Sequence, residues 1–339
     1  MYLKKTKLHK RQRLHRAGDL RTISLDVTSL CSMNCPHCYA ESFVNAKPIE
    51  LDVLKRAMDE AYELGVFHYV FQGGEPIEDP ERLEAIFRMC YPDETYMNVV
   101  SNGWHMNRDM IRWLKSLKVD KIAFSLDSGI EEEHDKNRRA GSYNRVLEAV
   151  DIVLGEGLLT SISIVVTHHS LHSAGFKAAY DYAESKGIRL DVQIAEPVGK
   201  WDGNTTCLMT PDDSLYIKEL QRKAPILKNG QCMVNRDIFC GEQDHCPAGT
   251  EFMGLSIDGE LLPCNFLQFS VGNIRKETIG EMRRKLLTNH WFWGQHPCCL
   301  CGEDPDFINS FITPYVGQKK PLDANKIFNL MKGAEHGRV

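Results

Sequence analysis

The stretch Thr22-Ile-Ser-Leu-Asp-Val27, followed closely by Cys31-Ser-Met-Asn-Cys35-Pro-His-Cys38, decides how the rest of the chain is interpreted. The first part predicts a short strand, and the second is a CxxxCxxC triplet on the loop after it. Three thiolates on so short a loop suit three corners of a cubane iron–sulfur cluster, with one iron left open. A tetrahedral zinc site is the alternative, with His37 as the fourth ligand.

A second motif, Gly73-Gly74-Glu75-Pro76, follows the next predicted strand, residues 66–72. Glycine has no Cβ, so such a turn lets the backbone come close to a ligand. The cysteine triplet and the glycine turn together resemble the radical S-adenosylmethionine (SAM) enzymes, and zinc does not account for the turn. The resemblance implies that Cys31, Cys35 and Cys38 hold a [4Fe–4S] cluster whose open iron binds SAM.

The same resemblance implies a set of SAM contacts. Gly73, Gly74, Glu75 and Pro76 would hold the ammonium group, with Glu75 as its charged acceptor, and His37 would lie near the adenine. Ser101 and Asn102 would line the ribose, and Ser125 and Arg138 would reach the carboxylate and ribose. The chain departs from the family in one place: Ser128 precedes Gly129, where the family usually has glycine directly after the aspartate. This one-residue shift makes Arg139 a competitor of Arg138.

The composition is that of an ordinary soluble protein: 339 residues, 42% hydrophobic and 26% charged, with a net charge of −5. This balance gives no global case for a nucleic-acid or membrane partner. No apolar run approaches the roughly 20 residues of a membrane span, and no signal-peptide core is present, so a cytoplasmic location is expected. The basic residues of segment 1–20 are interpreted as a solvated extension.

Short apolar runs alternate with helical patterns from residue 22 to about 195. The predicted strands are 22–27, 66–72, 96–101, 121–127, 160–166 and 190–195, and the clearest helices are 51–64, 81–90, 108–117, 143–155 and 174–187. Such alternation is typical of a parallel α/β sheet, and six units fall short of the eight in a closed barrel. We therefore predict a partial (β/α)6 TIM-like barrel, with the motifs gathered at the carboxyl ends of its strands.

A second group of cysteines follows the barrel. Cys246 and Cys264 flank a predicted hairpin with an Asp258-Gly259 turn, and Cys298 and Cys301 form a CxxC after a predicted helix, 279–287. This pattern resembles the twitch module, a shortened SPASM domain of α+β type, and implies one auxiliary [4Fe–4S] cluster on these four cysteines. A zinc ribbon is the alternative, and Cys299 competes with Cys298.

Two further cysteines, Cys232 and Cys240, fall outside the motif. Each is either a hydrogen-atom donor to a substrate radical, as in epimerases of this superfamily, or a packing residue. Asp191, Gln193 and Glu196, near the end of the sixth strand, are candidates for a general base.

The predicted organisation has five parts. They are a basic extension at 1–20, the radical SAM partial barrel at 21–200, a bridging region at 201–245, the twitch/SPASM-like domain at 246–301 and a tail at 302–339.

The expected function is reductive cleavage of SAM followed by hydrogen abstraction from a small molecule or peptide, with oxidation, cross-linking or epimerisation as the outcome. A flavodoxin or ferredoxin would supply the electron. Only 30 residues precede Cys31, too few for a leader-recognition domain, so a ribosomal-peptide maturase would need a separate leader-binding partner. A non-catalytic iron–sulfur scaffold or electron carrier is the alternative from another class, and nucleic acid is not an expected partner.

Overall fold

The computed structural model describes residues 18–236, 245–293 and 296–330. Its centre is a parallel sheet of β1 (Thr22–Asp26), β2 (His68–Gln72), β3 (Tyr96–Ser101), β4 (Lys121–Ser125), β5 (Leu159–Val166) and β6 (Arg189–Ile194). Each strand pairs with the next one in the chain. These pairs confirm the prediction of six parallel strands. The strands were recognisable in the sequence because each is a buried apolar run.

Helices cross between the strands and cover the sheet. They are α1 (Leu51–Glu63), α2 (Pro80–Met89), α3 (Arg108–Ser116), α4 (Glu131–Asn137), α5 (Ser142–Gly155), α6 (His168–Leu171), α7 (Ala174–Lys186) and, after β6, α8 (Pro211–Lys223). Side chains cap several of them: Asn107 accepts a hydrogen bond at the start of α3, and Thr210 forms a capping box with Asp213 at the start of α8. Within the described ranges, no helix has the length and apolar character needed to cross a membrane.

The C-terminal part is built of short elements. These are β7 (Val234–Asn235), β8 (Phe252–Leu255), β9 (Glu260–Leu262), β10 (Phe269–Ser270), β11 (Gly272–Asn273), α9 (Ile279–Leu286), α10 (His290–Trp293), α11 (Pro305–Phe307), β12 (Leu322–Asp323) and α12 (Ala324–Ile327). β8 and β9 form the predicted hairpin, in which Gly259 has the left-handed φ of +88° that the turn requires.

Barrel and hairpin share one sheet. β8 pairs in parallel with β1, with Thr22 opposite Phe252, while β7 pairs with β6 at the other edge. The ten-stranded order is β11-β9-β8-β1-β2-β3-β4-β5-β6-β7. The main core fills the space between this sheet and its helices, where Phe71 packs edge-on against Phe87 of α2. The predicted domain boundary at residue 246 stays a prediction, and the sheet crosses it.

Candidate active site

The cysteine loop begins where β1 ends and is tied to the loop after β2. The backbone N–H of Gly74 donates to the Thr28 carbonyl at 2.7 Å, and the N–H of Glu75 donates to the Leu30 carbonyl at 2.7 Å. These two bonds fix the chain that enters the CxxxCxxC triplet. Cys31 is exposed, whereas Cys35 and Cys38 are partly buried.

The two glycines of the turn are required by this contact. A Cβ on Gly73 would lie 2.8 Å from the Thr28 carbonyl oxygen, and one on Gly74 would lie 2.1 Å from that of Leu30. The sequence predicted that the glycines let the backbone approach a ligand. The close approach in the structure is to the chain's own cysteine loop, so these glycines position the loop as well as lining the cavity beside it.

One cavity collects nearly all of the predicted residues. It holds about 1040 Å³ when its opening to solvent is included. The predicted residues on its wall are Cys31, Cys35, His37, Cys38, Gly73, Gly74, Glu75, Ser101, Asn102, Ser125 and Arg138. Pro76 is a correction: it is not on the wall, because it starts the buried helical turn Pro76–Glu78 that leads into α2.

Glu75 is the buried acid of this cavity, with 2% of its surface exposed. One carboxylate oxygen accepts a hydrogen bond from the Ser101 hydroxyl at 2.8 Å, and the other accepts from the Asn102 backbone N–H at 2.7 Å. Burial raises the pKa of Glu75 to about 7, although these two bonds oppose the rise. A cationic ligand beside it would stabilise the charged form.

Arg138 is the buried cation of the cavity. Its guanidinium donates to both oxygens of Asp127, from Nε at 2.7 Å and from Nη2 at 2.8 Å, and lies 3.4 Å from the His37 ring. Burial alone would raise the pKa of Asp127, but Arg138 and His37 more than offset burial and hold that pKa well below its usual range. Burial also lowers the pKa of His37.

The competitor, Arg139, points elsewhere. Its guanidinium lies 4.0 Å from the centroid of the Trp104 ring, in a cation–π contact. Of the two adjacent arginines, Arg138 is therefore the one that faces the cavity, and the one-residue shift after Asp127 does not displace it.

The comparisons with known proteins agree with this geometry. The model of the Radical SAM superfamily matches residues 25–173, which include the cysteine triplet, the glycine turn and Arg138. Residues 25–173 form a domain of the radical SAM superfamily.

Two curated relatives and one solved structure are similar to a longer part of the chain than residues 25–173. The chain is 24% identical over 289 residues to an AdoMet-dependent heme synthase of Methanosarcina barkeri, covering 77% of this chain and 81% of that protein. It is 25% identical over 257 residues to a PqqA peptide cyclase of Granulibacter bethesdensis, covering 73% and 68%. The structure of Streptococcus suis SuiB bound to its precursor peptide SuiA has the same fold, with a TM-score of 0.59 at 16% identity, over 81% of this chain and 67% of that one.

The cofactors of this radical SAM protein are therefore a [4Fe–4S] cluster and SAM. The donor chemistry of the cavity fits both groups. Three soft thiols lie on one short loop at the cavity, as a cubane cluster needs, while a buried carboxylate and a buried guanidinium match the ammonium and carboxylate ends of SAM. The C-terminal module is of the twitch/SPASM type, whose members carry auxiliary [4Fe–4S] clusters.

Two cysteines of the second group lie close together on the loop after α10. The Cys299 and Cys301 sulfurs lie 3.7 Å apart, and Cys301 is buried. Its pKa is raised, first by Cys299 and then by burial, with a smaller contribution from Cys264 of the hairpin. The main chain of Cys246 pairs with that of His296, which joins the base of the hairpin to this loop.

The structure favours Cys299 over the predicted Cys298 as a metal ligand. The sulfur of Cys299 lies next to that of Cys301, and Glu303 closes a tight turn around Cys299. Glu303 accepts a hydrogen bond from the Cys299 N–H at 2.7 Å and donates its own N–H to the Cys299 carbonyl at 2.9 Å.

The end of β6 connects the two cysteine groups. Gln193 and Glu196 both line the cavity, and the Gln193 amide donates to the Glu196 carboxylate at 2.8 Å. The third base candidate, Asp191, is elsewhere: it pairs with Lys121 at 2.9 Å and accepts from Asn235, as a structural ion pair.

Cys232 does not fit the role of a hydrogen donor. Its thiol donates to the Gln221 carbonyl at 3.3 Å, near the end of α8, and it is not on the cavity wall. This corrects the prediction for Cys232. Cys240, the other tentative donor, lies outside the described residues.

Several wall residues were missed by the sequence analysis. Tyr39 directly follows Cys38, and its hydroxyl donates to the buried Asp26 at 2.9 Å, so its position beside the triplet was a usable signal. Phe266 reaches the cavity from the C-terminal module and packs on Tyr39 at a centroid distance of 5.4 Å. Nothing in the local pattern marks Phe266, since its place depends on the pairing of β8 with β1.

Proposed function

We propose that this radical SAM enzyme cleaves SAM reductively and removes a hydrogen atom from an unactivated C–H bond of a peptide or small molecule, which is then oxidised. The observation that carries the proposal is the convergence of three cysteines, the Glu75 carboxylate and the Arg138 guanidinium on one cavity. A cluster on Cys31, Cys35 and Cys38 would supply the electron that converts SAM to a 5′-deoxyadenosyl radical.

The chain's own residues orient SAM for that step. Glu75 would accept the ammonium group, and Arg138 would donate to the carboxylate. Both side chains are already fixed by partners, Glu75 by Ser101 and Asn102 and Arg138 by Asp127, so little side-chain freedom is lost on binding. His37 and Trp201, 5.6 Å apart on the wall, would flank the adenine.

Oxidation is the outcome we favour over epimerisation. An epimerase needs a hydrogen donor in the cavity, and the one candidate donor among the described residues, Cys232, faces the Gln221 carbonyl instead. An oxidation needs a proton acceptor and an electron acceptor. The cysteine group around Cys301 would hold the electron acceptor.

The substrate class rests on the cavity and on the relatives. The cavity opens to solvent, and one relative is named a peptide cyclase while another is named a heme synthase. A peptide maturase that works with a separate leader-binding partner is one form of the proposal. A flavodoxin or ferredoxin is the reductant we propose. A bare electron carrier would have no need of Glu75 and Arg138.

The test is release of 5′-deoxyadenosine by anaerobically reconstituted protein given SAM and a strong reductant. Wild type should release it, whereas Cys35→Ala should release none. At subsaturating SAM, the rate of release by Arg138→Gln should be about tenfold or more below that of wild type, because a charge-assisted hydrogen bond to SAM is lost. Release by the neighbouring variant Arg139→Gln should match wild type. Wild-type protein that carries its clusters and releases no 5′-deoxyadenosine, with or without peptide or small-molecule extracts, would contradict the proposal and favour the electron carrier.

A further inference from the structure

The carboxylate of Glu196 lies between the SAM cavity and the auxiliary cysteines. One of its oxygens and the Cys299 and Cys301 sulfurs all lie within 4.8 Å of one another. Glu196 is 6% exposed and Cys301 is 1% exposed, so two of the three donors are cut off from water. Among the described residues, this is the one group of three or more His, Cys, Asp or Glu side chains whose ligand atoms come this close together.

The packing of the backbone fixes this arrangement. Glu196 follows β6 by two residues, and the turn that carries Cys299 and Cys301 packs directly on the end of that strand. A Cβ on Gly302 would lie 3.2 Å from the Ala195 carbonyl oxygen and 3.0 Å from the Ile194 side chain. The cysteine turn therefore cannot move away from Glu196 without leaving the strand end.

The donor set of the group suits a cation. Two thiolates and a carboxylate would repel one another if they were all charged and buried together, and a bound metal ion would remove that repulsion. Iron–sulfur centres accept ligands other than cysteine, and such ligands change the reduction potential of the centre. A carboxylate oxygen is a suitable iron ligand.

We infer that Glu196, supplied by the barrel, is an oxygen ligand of the auxiliary iron–sulfur centre beside the thiolates of Cys299 and Cys301, so that it takes the place of one of the two hairpin cysteines, Cys246 or Cys264. This inference rests on the proposed function, since it assumes that the C-terminal cysteines hold such a centre. Because Glu196 also lines the SAM cavity, its side chain would link the cavity to the auxiliary centre.

The test uses full-length protein in which Cys31, Cys35 and Cys38 are all replaced by alanine, so that all remaining iron is auxiliary. After anaerobic reconstitution with ⁵⁷Fe, iron content, Mössbauer and EPR spectra are recorded for this parent and for Glu196→Ala, Glu196→Gln and Glu196→Cys. The control is Glu75→Ala, which removes the other buried carboxylate of the same cavity.

We expect the parent to bind a four-iron centre with one site distinguishable from the others. Glu196→Ala should lose about a quarter of the iron and give a three-iron signal, and Glu196→Cys should restore four equivalent thiolate-bound sites. Glu196→Gln, which keeps the packing, should alter the spectrum of that single site even if the alanine variant folds poorly. Glu75→Ala should match the parent.

The two proposals fail differently. Four irons with unchanged spectra in all three Glu196 variants would overturn the Glu196 inference and leave the auxiliary centre in place. A parent that binds no iron, or binds zinc, would overturn the auxiliary centre itself.

Discussion

The guanidinium of Arg138 and the carboxylate of Asp127 form a two-point pair, with N–O distances of 2.7 and 2.8 Å. Both side chains are almost fully buried, at 9% and 3% exposure. Two parallel hydrogen bonds fix the plane of the guanidinium as well as its position. Asp127 therefore holds the Arg138 guanidinium in a fixed orientation on the cavity wall.

Replacing this guanidinium by a point charge should weaken SAM binding. Arg138→Lys keeps the positive charge but cannot form two parallel bonds to Asp127, so we expect the dissociation constant for SAM to rise about tenfold or more. Arg139→Lys, on the Trp104 ring, is the matched control and should change the constant less than about twofold. Equilibrium dialysis against reconstituted protein measures both. Equal losses in the two variants would mean that net charge, and not the two-point pair, governs affinity.

SAM binding should depend on pH through Glu75. Its pKa is raised to about 7, so the carboxyl group is neutral below that value and charged above it. Because the charged form attracts an ammonium group, affinity should increase as the pH rises from about 5.5 to 7.5, below the range where an amine loses its own proton. Glu75→Gln should bind SAM more weakly and show no such rise. A rise that persists in the Gln variant would assign the titration to another group.

The glycine turn should be intolerant of a single methyl group. In Gly74→Ala the new Cβ would lie 2.1 Å from a backbone oxygen, so the cysteine loop must shift. We expect loss of most SAM-cluster iron and a lower melting temperature. Gly155→Ala, at a helical glycine with nothing within 4 Å of its Cβ, should be neutral or stabilising by about 0.5–1 kcal/mol. Iron analysis and thermal melts compare the two; full iron binding by Gly74→Ala would show that the loop is not held by this contact.

Adjacent cysteines in the C-terminal module should differ. Cys299→Ala should lower auxiliary iron because its sulfur is the one beside Cys301, whereas Cys298→Ala should bind as much iron as the parent that lacks the SAM-cluster cysteines. Iron and sulfide content of the two variants, each in the background without the SAM-cluster cysteines, decides between them. The reverse result would restore Cys298 as the ligand.

The parts of the fold that depend on residues close together in the sequence were predictable. The strand over Tyr96–Ser101 has its predicted bounds, and the Asp258-Gly259 turn is where the hairpin requires it. Strand-end positions also predicted that Cys31, Glu75 and Ser125 would meet, because parallel strands end at one edge.

The remaining features depend on contacts between distant segments. The pairing of Thr22 with Phe252 joins residues that no local pattern relates. Asp191 and Glu196 looked alike in sequence, yet one is neutralised by Lys121 and the other reaches Cys299. The choice of Cys299 over Cys298 depends on the rotation of a turn, which Glu303 sets from four residues away.

β1, the strand that leads into the first cysteine loop, is hydrogen-bonded to β2 on one side and to β8 on the other. A junction placed at the end of the barrel would therefore cut through a paired strand, and not between two independent bodies. Chimaeras that exchange the C-terminal module between relatives need to preserve the register of Thr22 with Phe252, or to exchange β1 together with the module. Recombination in this lineage is expected to respect the same constraint, with crossovers before residue 22 tolerated more often than crossovers near residue 245.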